Sequence, residues 1–408
     1  MTQIRIERLG HKGDGIAPGP VFVPGALPGE EVSGEIVDGV MAAPSIVTPV
    51  PERVKPPCSH ARSCGGCQLQ HAKDSFVEGW KTEVVLRALE AHDLVTEIRP
   101  CLTSPPRSRR RANFSAKRTK KGALAGFHQK SSDVVVSVPN CQLVTPALAK
   151  ALPMVEALAV LGASRKGELS VLVTESLNGL DVAVTGGKSV DTAFRTALAD
   201  IGREYDLARL AWDDEVIARR PPIQRFGSAD VTPPPGAFLQ ATAEGEAALL
   251  AAVREALGPM GRNAKVADLF AGCGTFALPL AQEMRVHAVE GDAQMLKALD
   301  HGWRNGSGMK LLTHETRDLF RNPLMLDELD RLAGVVIDPP RAGAEAQVAE
   351  IIRARVPRVA HVSCNPVTFA RDCAALVRGG YVLDFVQVVD QFRWSTHVEV
   401  AAGLHLED

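Results

Sequence analysis

The stretch VAHVSCNPVTFARD, residues 359–372, decides how the second half of the chain is read. Its first residues are apolar and β-prone, the pattern of a buried strand. Ser363, Cys364, Asn365 and Pro366 follow, and then a helical pattern. Proline at the first helical position loses no hydrogen bond and presets φ. Cys364 is thereby expected at the carboxyl end of a strand, just before a helix N-terminus. In an open α/β sheet that edge is where ligands bind, and a helix N-terminus lowers a thiol's pKa. Position alone leaves an inert buried cysteine open as the other reading. Upstream, Val335-Val336-Ile337-Asp338-Pro339-Pro340-Arg341 reads as a second buried strand, ending in a carboxylate and two prolines. Two neighbouring strand ends would then present an acid and a thiol to one cleft.

The α/β pattern begins at residue 236. Residues 265–270 (KVADLF) read as a strand, Ala271-Gly272-Cys273-Gly274-Thr275 as a glycine turn, and FALPLAQEM as the start of a helix. The turn lacks the third glycine of G-x-G-x-x-G, so alone it is a weak dinucleotide signal. The strand at 286–289 ends in Glu290. A carboxylate about twenty residues beyond such a turn accepts hydrogen bonds from the two hydroxyls of a ribose. Asp318, after the strand LLTHET, is either an adenine-side contact or a helix N-cap before Leu319.

A chain of 408 residues allows about two to four domains and an ample core. It is 45% hydrophobic and 23% charged, with a formal net charge of −2, which argues against a wholly basic nucleic-acid coat but leaves room for local clusters. No apolar run is long enough to cross a bilayer, and MTQIRIERLG lacks the apolar core of a signal peptide. A cytoplasmic protein is expected. Its eight cysteines are then expected as ligands or catalysts rather than disulfides.

Residues 1–50 alternate short β patterns with glycine turns, as a small β-barrel or sheet does. GDGIA followed by VFVPGALPGEEV resembles a TRAM domain, a small OB-like RNA-binding barrel. Residues 51–57, PERVKPP, form a Pro-rich linker. Then comes Cys58-x5-Cys64-Gly65-Gly66-Cys67, whose glycines allow the backbone to wrap tightly round something bound by the thiols. Soft thiolates select zinc, copper(I) or iron–sulfur clusters. Cys141, in a turn after a β run, is the best candidate for a fourth ligand, with Cys101 as its competitor. Four cysteines alone do not separate zinc from a cluster. Phe76, Trp80, Val84, Val85 and Leu89 follow at helical spacing, a packing face. Residues 107–121 carry Arg107, Arg109, Arg110, Arg111, Lys117, Arg118, Lys120 and Lys121 with no acid, and Asn113, Phe114 and Ser115 interleave. Alternating as a strand would, several cations could line one surface and meet a phosphate backbone. Residues 123–235 read as an antiparallel central domain with one helix near 146–162.

The combination resembles the RNA uracil-5-methyltransferase family. The residues that carry the resemblance are D-L-F-A-G-C-G, V-E-G, D-P-P-R-A-G, S-C-N-P-V-T-F-A-R-D, the terminal D-Q-F-R-W-S-T-H-V-E, and Phe238-Leu239-Gln240. D-x-F-x-G-x-G is similar to motif I of class I S-adenosylmethionine methyltransferases. With the TRAM-like start and the cysteines, the resemblance spans nearly the whole chain and looks closest to the iron–sulfur members that make 5-methyluridine in 23S ribosomal RNA. It departs at Thr275, where some members carry Asn.

That resemblance implies a multidomain α/β protein. The parts are an OB-like TRAM barrel at 1–54, a β-rich RNA-binding central domain with the cysteine site at 55–235, and a class I Rossmann-like methyltransferase domain at 236–408. An early helix, about 72–100, is implied to pack on the last of these. Cys364 is implied as nucleophile and Glu399 as the proton-abstracting base. S-adenosyl-L-methionine would be held by Gln240, Phe270, Gly272, Gly274, Thr275, Glu290, Asp318 and Asp338, with Gln240 and Asp338 also near the target base. A 4Fe–4S cluster would sit on Cys58, Cys64, Cys67 and Cys141. RNA would meet Arg109, Arg110, Arg111, Lys117 and Phe238. His397 is open between a packing and a hydrogen-bonding role. A monomer with no membrane contact is expected. Same-fold methylation of transfer RNA, a non-catalytic iron–sulfur RNA-binding protein and an amino-methyltransferase are the competing readings.

Overall fold

The structure is a computed structural model that describes every residue except 262 and 408. Its largest sheet has eight strands, ordered Leu312–Thr316, Arg285–Glu290, Lys265–Leu269, Gly334–Ile337, Arg358–Ser363, Glu399–Leu406, Tyr381–Asp390 and Glu97–Thr103. Counted from Lys265–Leu269 along the chain, the first seven run 3-2-1-4-5-7-6. The first five of these are parallel, and Glu399–Leu406 lies antiparallel to both its neighbours. The order reverses between Lys265–Leu269 and Gly334–Ile337, which opens a crevice at the carboxyl ends of those two strands. Both strands are buried on both faces, as helix-covered parallel strands must be.

The eighth strand comes from far upstream. The early helix expected over 72–100 ends at Glu90, and the chain turns through Asp93 at φ 57° into the strand Glu97–Thr103. Pro100 is tolerated there because the strand lies at the sheet edge. The helix Asp74–Glu90 packs on the helix Pro366–Arg378 and on the strands Glu97–Thr103 and Tyr381–Asp390. On its buried face Lys81 meets Asp390 at 2.6 Å, both side chains almost fully enclosed. Lys81 Nζ also donates to the carbonyl of Phe392 at 3.3 Å.

The middle of the chain forms a seven-stranded sheet from Arg111–Arg118 to Glu215–Ala218, built on the core of Phe114, Val171, Val182 and Leu158. It departs from the expected antiparallel domain with one helix in two ways. The strand Gly179–Thr185 pairs in parallel with Arg209–Trp212, and a second long helix, Thr192–Glu204, makes that crossover. The signal for this helix was present in the sequence. Asp191 caps it by accepting from the Phe194 amide, and Phe194, Leu198 and Ile201 recur on one buried face. At the N-terminus, two three-stranded sheets share a small core of Ile6, Val23, Val32 and Met41. No helix of the described residues is long and apolar enough to cross a membrane.

Removing one member of a buried ion pair strands the other's charge. Lys81→Met is therefore expected to cost about 3 kcal/mol in urea unfolding at neutral pH. Lys81→Met combined with Asp390→Asn should recover most of that loss.

Candidate active site

Strand geometry places the acids and the thiol. Phe270 and Gly272 follow the first parallel strand, Glu290 ends the second, and Asp318, Asp338 and Cys364 follow the third, fourth and fifth. All open into one cleft of about 730 Å³, which Gln240 and Glu399 also line. Glu399 arrives there because its strand runs the opposite way. Ser363 pairs with Val400, so the start of that strand lies beside the end of the cysteine's strand.

The glycine turn divides its labour. Gly272 has φ 55°, and a Cβ on it would meet nothing within 4 Å, so its face is open to the cleft. Gly274 has φ 94°, and a Cβ there would strike Leu278 at 2.8 Å. It is a packing glycine, and neither Gly274 nor Thr275 lines the cleft. Phe270 adopts φ 63°, a backbone state that costs a non-glycine residue about 1 kcal/mol or more. Glu290 accepts from the Gly272 and Asp292 amides, each at 2.9 Å, and each carboxylate oxygen keeps a lone pair for a further donor. Asp318 does not cap a helix. It accepts from the Phe320 amide at 3.0 Å in a turn, because no helix begins at Leu319.

A second cavity, of about 520 Å³, adjoins the first. Its walls include Gly65 and Gly66 of the cysteine loop, Arg109, Asn113, Phe392 and His397. Phe238, Arg341, Cys364 and Glu399 line both cavities and form the seam between them. Phe238 is 57% exposed there.

Electrostatics at the seam differ from the expectation of an acidified thiol. Burial pushes the Cys364 thiol up, the nearby Glu399 and Asp338 carboxylates add to that, and the Arg341 guanidinium opposes them. The following helix starts at Pro366 behind the N-cap Asn365. Burial and Asp338 push Glu399 up to about 8, against a hydrogen bond from Gln391 and the charge of Arg341. Burial pushes Asp338 up to about 7. Arg341 is the cation that opposes these shifts at Cys364 and Glu399, and it also bonds His397 Nδ1 at 3.2 Å.

The two strand-end motifs are stitched together. Asn365 donates to the Arg341 carbonyl at 2.9 Å, Arg371 to the Ala342 carbonyl at 3.1 Å, and Asp372 accepts from the Ala344 amide at 2.9 Å. The helix after the cysteine therefore fixes the loop after Asp338.

The basic run splits by strand alternation. Arg109 faces the second cavity. Arg111 lies 5.8 Å from the ring of Phe238 but outside both cavities. Arg110 points away and is spent on Glu246 at 2.5 Å, and Lys117, farther along, pairs with Glu168 at 3.0 Å. Cys58, Cys64, Cys67 and Cys141 form a separate group whose charges would repel one another, raising Cys64, Cys67 and Cys141 on top of a dominant burial effect. The sulfurs of Cys64 and Cys141 accept backbone N–H groups, each at 3.4 Å. Cys101 lies instead beside Thr103, Lys81 and Asp390. Among the described residues no group of three or more His, Cys, Asp or Glu side chains is arranged in a metal-holding geometry. The thiols are neighbours without forming such a cage.

Sequence reasoning did not single out Arg341, Gln391, Phe392 or Phe320. The first three sat inside quoted motifs, where an arginine after a strand-end acid and a polar–aromatic pair before the last strand were the available signals. Phe320, 5.4 Å from Phe270 across the first cavity, carried none.

The fold and the cleft are those of an S-adenosylmethionine-dependent methyltransferase. The profile of the tRNA (Uracil-5-)-methyltransferase family matches residues 312–408. An RNA methyltransferase of Rhizobium meliloti is 43% identical, covering 98% of this chain and 98% of that protein. The 23S rRNA (uracil(1939)-C(5))-methyltransferase of Shewanella piezotolerans is 29% identical over 99% of this chain and 95% of its own. In fold, the chain matches the Pyrococcus abyssi tRNA (uracil-54, C5)-methyltransferase crystallised with S-adenosyl-L-homocysteine, with a TM-score of 0.78 at 21% identity over 98% of this chain and 99% of that one. The chain belongs to the RNA uracil-5-methyltransferase family and is an S-adenosylmethionine-dependent enzyme acting on RNA.

Glu399 would ionise near 4.5 in the unfolded chain and near 8 in the folded one. The folded state holds the extra proton between those values, so its stability is greatest below the window and falls as the pH rises through it, by about 1.4 kcal/mol per unit. Urea midpoints measured across that range should fall more steeply for the wild type than for Glu399→Gln, which has no such proton to lose.

Proposed function

We propose that this enzyme methylates C5 of a uridine in 23S ribosomal RNA through a covalent cysteine adduct. The observation that carries the reading is the seam. Cys364 and Glu399 stand where a cleft with a ribose-type acid, a glycine turn and aromatic walls meets a cavity lined by Arg109, Asn113 and aromatic rings. A base on duplex or stacked RNA must leave its stack to enter such a cavity.

Uracil C5 is a poor nucleophile. The Cys364 thiolate adds to C6, and the C5=C6 electron pair moves toward C5 and O4. S-adenosylmethionine, when bound, supplies an electrophilic methyl group on a sulfonium, which C5 takes up. Glu399 then removes the C5 proton, the C–H pair restores the C5=C6 bond, and the thiolate leaves. Covalent catalysis thus divides one hard step into easier ones. In the cleft, Gly272 offers an open backbone face, Glu290 would hold the ribose and Asp318 the adenine side. Asp338 lies near Cys364, and Gln240 lines the same cleft, where cofactor and base would meet. A non-catalytic RNA-binding protein would have no use for a thiol, a raised carboxyl and an arginine on one seam.

Ribosomal RNA is favoured by the likeness to the Shewanella enzyme along the whole chain, while the family profile and the Pyrococcus structure carry names of transfer-RNA enzymes. Methylation assays on 23S fragments against transfer-RNA transcripts decide between them. We further read residues 1–54 as a TRAM-like barrel, 55–235 as the RNA-binding central part and 236–408 as the methyltransferase part. Cys58, Cys64, Cys67 and Cys141 would hold a 4Fe–4S cluster. Four adjacent thiols with N–H donors on two sulfurs suit it, and the Cys-x5-Cys-x2-Cys spacing lacks the paired knuckles of all-cysteine zinc sites.

Cys364→Ala should abolish methylation while cofactor affinity stays within a few-fold. Glu399→Gln should accumulate RNA covalently bound at Cys364, seen as a shifted band on denaturing gels; normal turnover without that band would refute Glu399 as the base. Anaerobically purified protein should contain iron and sulfide in near-equal amounts. Cys141→Ser should lose them and Cys101→Ser should not, whereas stoichiometric zinc without iron would overturn the cluster.

A further inference from the structure

One buried side chain joins the two amide and acid groups that face the cleft. Gln391 is 1% exposed, directly after the Asp390 that Lys81 holds. Its Oε1 accepts from the Ala241 amide at 2.7 Å. A backbone N–H can only donate, so this bond fixes which end of the Gln391 amide is which. Its Nε2 must then be the donor in the 2.6 Å contact with Gln240 Oε1. Val389 pairs with Glu399 across the last two strands, so Gln391, two residues on, lies diagonally beside Glu399, and its Nε2 is the end left to act as a donor toward that carboxylate. With its Oε1 engaged as an acceptor, Gln240 keeps its own Nε2 as a donor with no partner among the described residues, on the wall of the cleft. Gln391 has no room to turn away. A Cβ on Gly245 would come within 2.6 Å of the Gln391 Cβ, so the first turn of the helix Ala243–Leu257 closes over it.

We infer that Gln391 is a positioning residue that holds Glu399 as a proton acceptor and turns the Nε2 of Gln240 into the cleft as a donor. This inference rests on the proposed covalent mechanism and adds a direction to it. One backbone N–H polarises a chain of three side chains. A neutral amide donating to a carboxylate favours its charged form, and Glu399 must be charged to take the C5 proton. The other groups facing Glu399 are Asp338 and Cys364, which oppose that charge, and Arg341, which favours it. A donor on Gln240 would face a uracil carbonyl, where negative charge gathers as the thiolate adds.

The test follows the covalent RNA adduct by rapid quench and denaturing gel from about pH 6.5 to 9, with wild type and Glu399→Gln as references. Gln391→Met keeps the length and removes both polar ends. Gln391→Glu keeps the acceptor for Ala241 and lacks the donor once ionised. Retention of radiolabelled S-adenosylmethionine and the thermal midpoint report folding. Both variants should accumulate adduct several-fold above wild type below about pH 8. For Gln391→Met the band should clear as the pH rises, with a midpoint about one unit above wild type, the worth of one hydrogen bond to a charged group. Glu399→Gln should trap adduct at every pH. If Glu399→Gln gives no adduct, the covalent reading itself fails. If it does, while the Gln391 variants lose turnover at all pH values with an unmoved midpoint and no adduct, the inference is overturned. Wild-type behaviour in either variant also overturns it, as does loss of fold in both, which would make Gln391 merely structural.

Discussion

The pairing of Ser363 with Val400 is the contact on which the site depends. In a wholly parallel sheet the start of the last strand would lie at the far edge, some 20 Å from the thiol for a strand of six residues. Reversing one strand brings Glu399 to the edge where the parallel strands end. The register leaves little freedom, because a slip by one residue would exchange the buried and cleft-facing sides of the strand. Glu399–Leu406 is buried along most of its length between two antiparallel neighbours, so the slip is costly.

The segment between the last two strands, residues 391–398, is held from three directions. The helix Asp74–Glu90 grips it through Lys81, and Asp74 meets Arg393 and the Trp394 indole. The cysteine loop docks on it through the Gln68 and Leu69 amides, both donating to the Trp394 carbonyl. Gln391 ties it to the segment before the helix Ala243–Leu257. Phe392, Ser395 and His397 line the second cavity from this segment. The upstream third of the chain thus shapes a pocket whose acid and thiol come from the last fifty residues, and it does so by gripping one short connection.

Charge explains why the seam needs an arginine. Burial makes Asp338, Glu399 and Cys364 each resist ionising, Asp338 adds to this at Glu399, and both carboxylates add to it at Cys364. Arg341 opposes that repulsion at Cys364 and Glu399. Asp338 and Arg341 stand at the two ends of one short segment, and the hydrogen bonds from Asn365 and Arg371 keep that segment beside the thiol. Geometry and electrostatics are here set by the same few residues.

Much of this was local and therefore legible. A buried strand followed by a proline-capped helix, a glycine turn after KVADLF, and an acid at the end of the next strand are short-range patterns, and they placed Cys364, Gly272, Glu290 and Asp338 on one sheet edge. The sequence also determined that a strand pattern would split the basic run, since side chains alternate across a strand. Which half of that run faces the cavity was decided by tertiary structure, and so was the diversion of Arg110 to Glu246. The seam itself, the grip of Lys81 on Asp390 more than three hundred residues away, and the raised thiol of Cys364 were decided there too. Periodicity reports which face of an element is apolar, whereas burial, charge neighbours and a partner's direction depend on how distant elements meet.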